Sequence, residues 1–188
     1  NVNVYVGGVM KDGDWELQRD MLKELSGKKV DAVVLAPADS VNMTDSAKLL
    51  REQNLPVALV DTMLSSNDYD AAFMTNNLEA GEAVCKKMVE QLKANGVKET
   101  DKANVLIHLS TLASRTISDR AESVVANWAH YAPVNWKLVP EYVIDYGDAT
   151  GAIQLITDRI KNTPDVKGVI ACNNSSTNAA VAAIMQAG

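Results

Sequence analysis

The stretch Val30–Asp61, VDAVVLAPADSVNMTDSAKLLREQNLPVALVD, limits what this chain can fold into more than any other part of it. Val30 to Leu35 is a near-continuous apolar run, the pattern of a strand buried on both faces of a parallel sheet. Pro37 stops that strand, and Ala38-Asp39-Ser40 supplies the short polar side chains that cap a helix. Val41, Met43, Ala47, Leu49 and Leu50 then give the helix its apolar side, and Leu55-Pro56 ends it. Val57 to Val60 is a second buried strand. Asp61 therefore stands at the carboxyl end of a parallel strand, the edge where open α/β sheets bind ligands.

The same alternation runs through the rest of the chain. Val2 to Val6 predicts a strand stopped by Gly7-Gly8, and residues 15–27 predict a helix with Trp15, Leu17, Met21, Leu22 and Leu25 as its apolar side. Ala71 to Thr75 is a short strand, and Leu78 to Asn95 a long amphipathic helix closed by Gly96. Ala103 to Leu109 is the next buried strand. A polar loop from Ser110 to Ser118, carrying Arg115, leads into a helix that holds Arg120. Trp136 to Ile144 predicts one strand, residues 149–162 a helix, Val166 to Ala171 a last strand, and the residues after Cys172 a last helix. Strands separated by helices of this length imply right-handed βαβ units and a parallel sheet. The polar stretch Lys98–Lys102 marks a weak boundary. Both ends read as cuts through a larger α/β protein.

Composition excludes several classes of function. A net charge of −6, with no run of Lys or Arg, argues against nucleic acid as a partner. No apolar segment approaches the roughly 20 residues of a membrane span. The two cysteines, Cys85 and Cys172, lie far apart and read as separate free thiols. With only His108 and His130 to join them, no metal site and no cofactor are expected. There is no Gly-x-Ser-x-Gly elbow and no glycine loop for phosphate, and neither histidine has an evident Ser or Cys partner, so we expect no enzyme.

Polar side chains recur at the carboxyl ends of the predicted strands: Asp61-Thr62, Asn76-Asn77, Asp145-Tyr146 and Asn173-Asn174, with Arg115 and Arg120 at the helix after the Ala103–Leu109 strand. Carboxylates and amides serve hydroxyl groups, Arg forks across adjacent oxygens, and an aromatic ring covers C–H patches, so this set suits a neutral polyhydroxylated ligand. Each residue also has a plainer role. Asp39 and Asp148 read as caps, Asp61 and Asn173 as caps or contacts equally well, Arg115 and Arg120 as surface charges, and Trp15, Trp128 and Trp136 as packing residues.

The order of these sites resembles the ribose- and galactose-type periplasmic sugar-binding proteins, the type I solute-binding family, whose fold also forms the effector core of lactose-repressor-type regulators. The resemblance covers nearly the whole chain. It rests on VDAVVLAPADS, NLPVALVD, MTNNLEAGEAVCKKMVEQL, SDRAESV and NTPDVKGVIACNNSSTNAAVAAIMQAG. It implies an α/β fold of two three-layer αβα lobes with parallel sheets, roughly residues 1–108 and 109–188, truncated at both ends. It implies a sugar held between the lobes by Asp61, Arg120, Tyr146 and Asn173, with Asn76 as a weaker carry-over, and hinge closure around it. The implied partner is the membrane permease of an ABC transporter, in the periplasm or on a membrane-anchored lipoprotein. Two alternatives stay open: the effector core of a transcription regulator, in the cytoplasm, and the extracytoplasmic sensor of a signalling receptor. The chain departs from the pattern at Thr62, where the family often has Arg, at Asn174, where it has Asp, and at Ser175-Ser176, where it has a larger pair. In the family a further strand lies between those at 2–6 and 30–35, so we expect additional chain or a partner to supply it.

Overall fold

The computed structural model describes residues 2–187. Contacts divide the chain into two compact units, one formed by the residues through Thr75 with Ala113–Thr116, the other by Asn76–Leu112 with the residues from Ile117 on.

The first unit contains α1 (Trp15–Ser26), β1 (Val33–Leu35), α2 (Thr44–Glu52), β2 (Val57–Val60) and β3 (Ala71–Phe73). The strands form a parallel sheet in the order β1-β2-β3, with Val33 opposite Val57 and Ala58 opposite Ala71. Strand side chains alternate between faces. Val33, Leu35, Val57 and Leu59 lie on the face covered by Leu22 of α1 and by Ala47 and Leu50 of α2. The other face is open: Val34 is 73% and Phe73 70% exposed. The apolar run at 30–35 suggested burial on both faces, but the helices of this unit cover only one. A second expectation fails at the start of the chain. Residues 2–6 form no strand, and Val2, Val4 and Val6 are exposed, because a strand exists only where a neighbour accepts and donates its backbone bonds.

The sequence predicts Asp39 as the cap of α2, but the helix begins at Thr44 with Met43 in the N-cap position and no side-chain cap bond, and Asp39 instead closes the turn before it. Asp39 Oδ1 accepts from the amides of Val41 and Asn42, 2.8 and 2.7 Å away. Ala113–Thr116 is stitched to this unit through Ser40, whose amide donates to the Ala113 carbonyl (2.9 Å) and whose hydroxyl accepts from the Arg115 amide (3.0 Å).

The second unit contains α3 (Asn77–Ala94), β4 (Ala103–Leu109), most of α4 (Arg115–Tyr131), β5 (Trp136–Leu138), β6 (Val143–Ile144), α5 (Ala149–Asn162), β7 (Val166–Ala171) and α6 (Asn174–Ala187). β4 is central. β5 and β6 pair with its two ends and β7 runs along it, all parallel. The single strand read over 136–144 is thus two short ones, and Pro140, which has no N–H to donate, sits in the break. Val105, Ile107 and Leu109 of β4 pack against Cys85, Val89 and Leu92 of α3 and against Ala121, Val124 and Trp128 of α4. Val169 and Ala171 of β7 and Val143 of β6 face the other way, onto Ala152 and Ile156 of α5 and Ala179, Ala180 and Ala183 of α6. The result is a three-layer αβα arrangement built on one strand pattern.

By contacts, the second unit starts at Asn76 and so takes in α3 as well as β4. β4 draws its pairing strands from the chain that follows it and its helix cover from α3 before it and α4 after it. The local signals near the helices hold: Asp148 caps α5 by accepting from the Thr150 and Gly151 amides, and Gly96, with φ of 84°, follows α3. Cys85 and Cys172 are buried free thiols.

Candidate functional site

The junction between β7 and α6 is built by the reach of three helices. Gly81 lets α3 approach α4 closely; a Cβ there would lie 2.7 Å from Ser123 Cβ and against the Arg120 carbonyl. At the same crossing, the Ser123 hydroxyl donates to the Leu78 carbonyl at 2.6 Å. The crossing sets Arg120 beside the first residue of α3. Arg120 Nε donates to Asn77 Oδ1 and Nη1 to the Cys172 carbonyl, each at 2.9 Å. The guanidinium is fixed by two acceptors on elements far apart in sequence.

Arg120 and Asn173 line one cavity of about 260 Å³ together with Gly81, Val84, Asn174 and Thr177. Asn173 Nδ2 donates to the hydroxyls of Ser110 and Ser175, both at 2.9 Å, which fixes the orientation of the amide. Of the five residues expected from the sequence, these two come together.

The other three stand elsewhere. Asn76 is exposed and serves as the N-cap of α3, its Oδ1 accepting from the Glu79 amide at 3.3 Å. Tyr146, 76% exposed and with φ of 52°, borders a different cavity of about 430 Å³ with Tyr142, Leu155 and Arg159. Asp61 belongs to the first unit, where it is exposed at the end of β2 with φ of 68°. Its carbonyl accepts from the Thr116 hydroxyl (2.6 Å), and Thr62 Oγ1, itself buried, lies 3.0 Å from its carboxylate. Thr62 is an anchor for the 113–116 segment, with its hydroxyl 3.1 Å from that of Thr116.

Sequence reasoning missed two contributors to the junction. Asn77, not Asn76, holds the arginine; both were visible as a pair at a strand end, but which one turns inward is set by the helix phase. His108 and Asp145 form a buried pair, Nε2 to Oδ2 at 2.8 Å, that no sequence spacing announces because the two are 37 residues apart.

The chemistry on offer is hydrogen bonding. Burial pushes the Cys172 thiol up to about 11, against the opposing pull of Arg120, so it is a poor nucleophile at neutral pH. Among the described residues there is no cluster of His, Cys, Asp and Glu fit for a metal, and no helix is long and apolar enough to cross a membrane.

Comparison with known proteins agrees with this architecture. A family model described as a periplasmic binding protein domain matches residues 2–188. Among solved structures, an ABC transporter solute-binding protein from Agrobacterium vitis with bound D-fucose is 23% identical, with a TM-score of 0.85 over 99% of this chain and 62% of its own. A carbohydrate transporter solute-binding protein from Agrobacterium radiobacter in complex with D-arabinose is 21% identical, with a TM-score of 0.86 over 95% of this chain and 59% of its own. The fructose-binding periplasmic domain of a hybrid two-component system is 22% identical, with a TM-score of 0.79 over 94% of this chain and 56% of its own. The chain thus spans about three-fifths of the length of these proteins. No curated protein matches the sequence.

Proposed function

The chain belongs to the periplasmic binding protein domain family, and from that premise we propose that it binds a monosaccharide as the solute-binding component of an ABC transporter. It would work outside the cytoplasm and deliver its ligand to a membrane permease, without chemical change to the sugar. The three relatives above, each named for a bound or recognised sugar, support the ligand class.

The observation that carries the reading is the shared cavity of Arg120 and Asn173 at the carboxyl end of β7. Two of the five guanidinium N–H donors are held by Asn77 and Cys172, which aims the remaining donors without a rotamer search. A pair of vicinal hydroxyls is a natural acceptor for such a fork, and Asn173 offers an amide beside it. A cavity of about 260 Å³ suits one sugar ring better than an oligosaccharide. Asp61, Tyr146 and Asn76 are further proposed contacts: a carboxylate for hydroxyl donors, an exposed ring for the apolar sugar face, and the amide NH₂ of a capping asparagine.

The test is ligand-induced thermal stabilisation with D-fucose, D-arabinose and fructose. Binding to the folded form alone raises the melting temperature with ligand concentration. Arg120→Ala should abolish the shift, since a hydrogen bond to a charged group contributes about 1.5–3 kcal/mol, and Asn173→Ala should reduce it, a neutral hydrogen bond contributing about 0.5–1.5 kcal/mol. Unchanged shifts in both variants would remove these residues from the site, and no shift with any sugar would remove the ligand class. The two-component relative favours one second reading, an extracytoplasmic sugar sensor that uses the same site to signal.

A further inference from the structure

His108 lies at the carboxyl half of β4 with no exposed surface, and its register partners are Val143 of β6 and Ala171 of β7. Its two ring nitrogens face two acceptors. Nε2 is 2.8 Å from Asp145 Oδ2, and Nδ1 is 3.1 Å from the carbonyl of Ser176 in the first turn of α6. A carbonyl only accepts, and so does an ionised carboxylate. Against an ionised carboxylate, a neutral imidazole with its one N–H would satisfy one partner and turn a lone pair on the other; only a protonated Asp145, donating to Nε2, would make the second ring proton unnecessary. We propose that His108 carries a proton on both ring nitrogens, paired with the Asp145 carboxylate, and that this buried pair is the positioning element for the two loops that carry Tyr146 and Asn173. The pair is neutral overall, which is the form burial tolerates; loss of one proton would leave a net negative charge inside the sheet.

The positioning argument follows the bonds outward from the ring. Asp145 is itself buried, and its second oxygen, Oδ1, accepts from the Gly147 amide at 2.7 Å. That bond closes the turn in which Tyr146 and Gly147 both have positive φ, 52° and 75°. A tyrosine in this region is strained by roughly 1–2 kcal/mol, so something must hold it there. On the other side, the His108 carbonyl accepts from the Cys172 amide at 3.0 Å, next to Asn173, while the ring holds Ser176 three residues further on. One buried side chain therefore ties the β6–α5 turn and the β7–α6 junction to the central strand. The other acid nearby in sequence, Asp148, is engaged as the cap of α5, with Oδ1 on the Thr150 and Gly151 amides. The role as a ligand-side support rests on the sugar-binding reading; the protonation and the ties to both loops do not.

The experiment is ¹⁵N NMR of the histidine rings with amide hydrogen exchange, in the absence of any ligand. The chain has two histidines, and His130→Gln leaves His108 as the single reporter. The expected result is a ring with both nitrogens protonated at neutral pH, with slow exchange at Gly147. Asp145→Asn is the conservative variant: its amide can donate to Nε2 while its Oδ1 still accepts from Gly147. It should give a neutral ring with Gly147 still protected. His108→Gln should speed Gly147 exchange by roughly ten- to a hundred-fold, the loss expected for a charge-assisted bond. A wild-type ring with an unprotonated Nε2 overturns the proposal, and so does unchanged Gly147 exchange in His108→Gln. If His108→Gln does not fold, the ring state of the wild type and of Asp145→Asn decides alone. Thermal shifts with D-fucose, D-arabinose and fructose, run separately, test the sugar reading without touching this one.

Discussion

Gly81→Ala sets two effects of known sign against each other. In the interior of an exposed helix, replacing Gly by Ala stabilises by about 1 kcal/mol, because the unfolded chain loses less entropy. At Gly81 the new Cβ would lie 2.7 Å from Ser123 Cβ and 3.1 Å from its hydroxyl, with the Arg120 carbonyl nearer still. Carbon atoms rest at about 3.5–4.0 Å, so α3 would have to retreat by nearly an ångström. A flexible side chain could swing aside, but a helix carbonyl cannot. Overpacking of this kind costs about 1–3 kcal/mol, and the retreat also stretches the Ser123–Leu78 bond of 2.6 Å. The net expectation is a loss of about 1–2 kcal/mol. For a chain of this size that is a fall in melting temperature of roughly 2–8 °C. Tryptophan fluorescence suits the assay, since Trp128 and Trp136 lie in the core of the second unit, where α3 packs. A rise in melting temperature would mean that helix propensity wins, and would refute the close crossing. The same retreat moves Arg120 relative to Asn77, so sugar-induced stabilisation should weaken in parallel.

Other predictions concern titration. Asp70 fastens the first unit, accepting from the buried Val57 amide at 2.8 Å and pairing with Arg51. Its carboxyl is held below the usual 3.8, first by the Arg51 hydrogen bond and then by the Val57 amide. A depressed acid stabilises above its unfolded value and loses that contribution as the pH falls. Asp70→Ala should therefore be less stable than wild type at pH 7, with the gap closing below about pH 3.8 in an acid-unfolding series; a gap constant down to pH 2 would count against the clamp. Burial pushes both Cys85 and Cys172 up to about 11. At pH 8 the thiolate is then on the order of one part in a thousand, so a disulfide reagent should label neither until the protein unfolds. Rapid labelling of either thiol in the native protein would show that the site is open.

Much of the secondary structure was legible because it is written locally. β2, β4, α5 and β7 lie where apolar runs and caps put them, and the Asp148 cap needed nothing beyond its own turn. The failures occur where a neighbour decides. Residues 2–6 alternate as a strand should, yet backbone groups without a partner make no sheet. Residues 136–144 have strand composition throughout, yet pairing follows β4 only where Pro140 does not interrupt it. β1 and β2 are apolar enough for two covered faces, but in the first unit one face of their sheet is bare.

The candidate site divides in the same way. By itself the sequence determined which residue types gather at strand ends, since a parallel α/β chain delivers every strand's last side chain to one edge. It also carried the motifs on which the family resemblance rests. Tertiary structure decided which of those residues meet. Arg120 reaches Cys172 across 52 positions and Asn77 across 43, because Gly81 lets two helices close and because β7 lies beside β4. His108 and Asp145 meet only because β6 pairs with the end of β4. Short-range preference acts over a few residues, whereas these contacts depend on register and helix phase. Those are settled by burying one whole face against another.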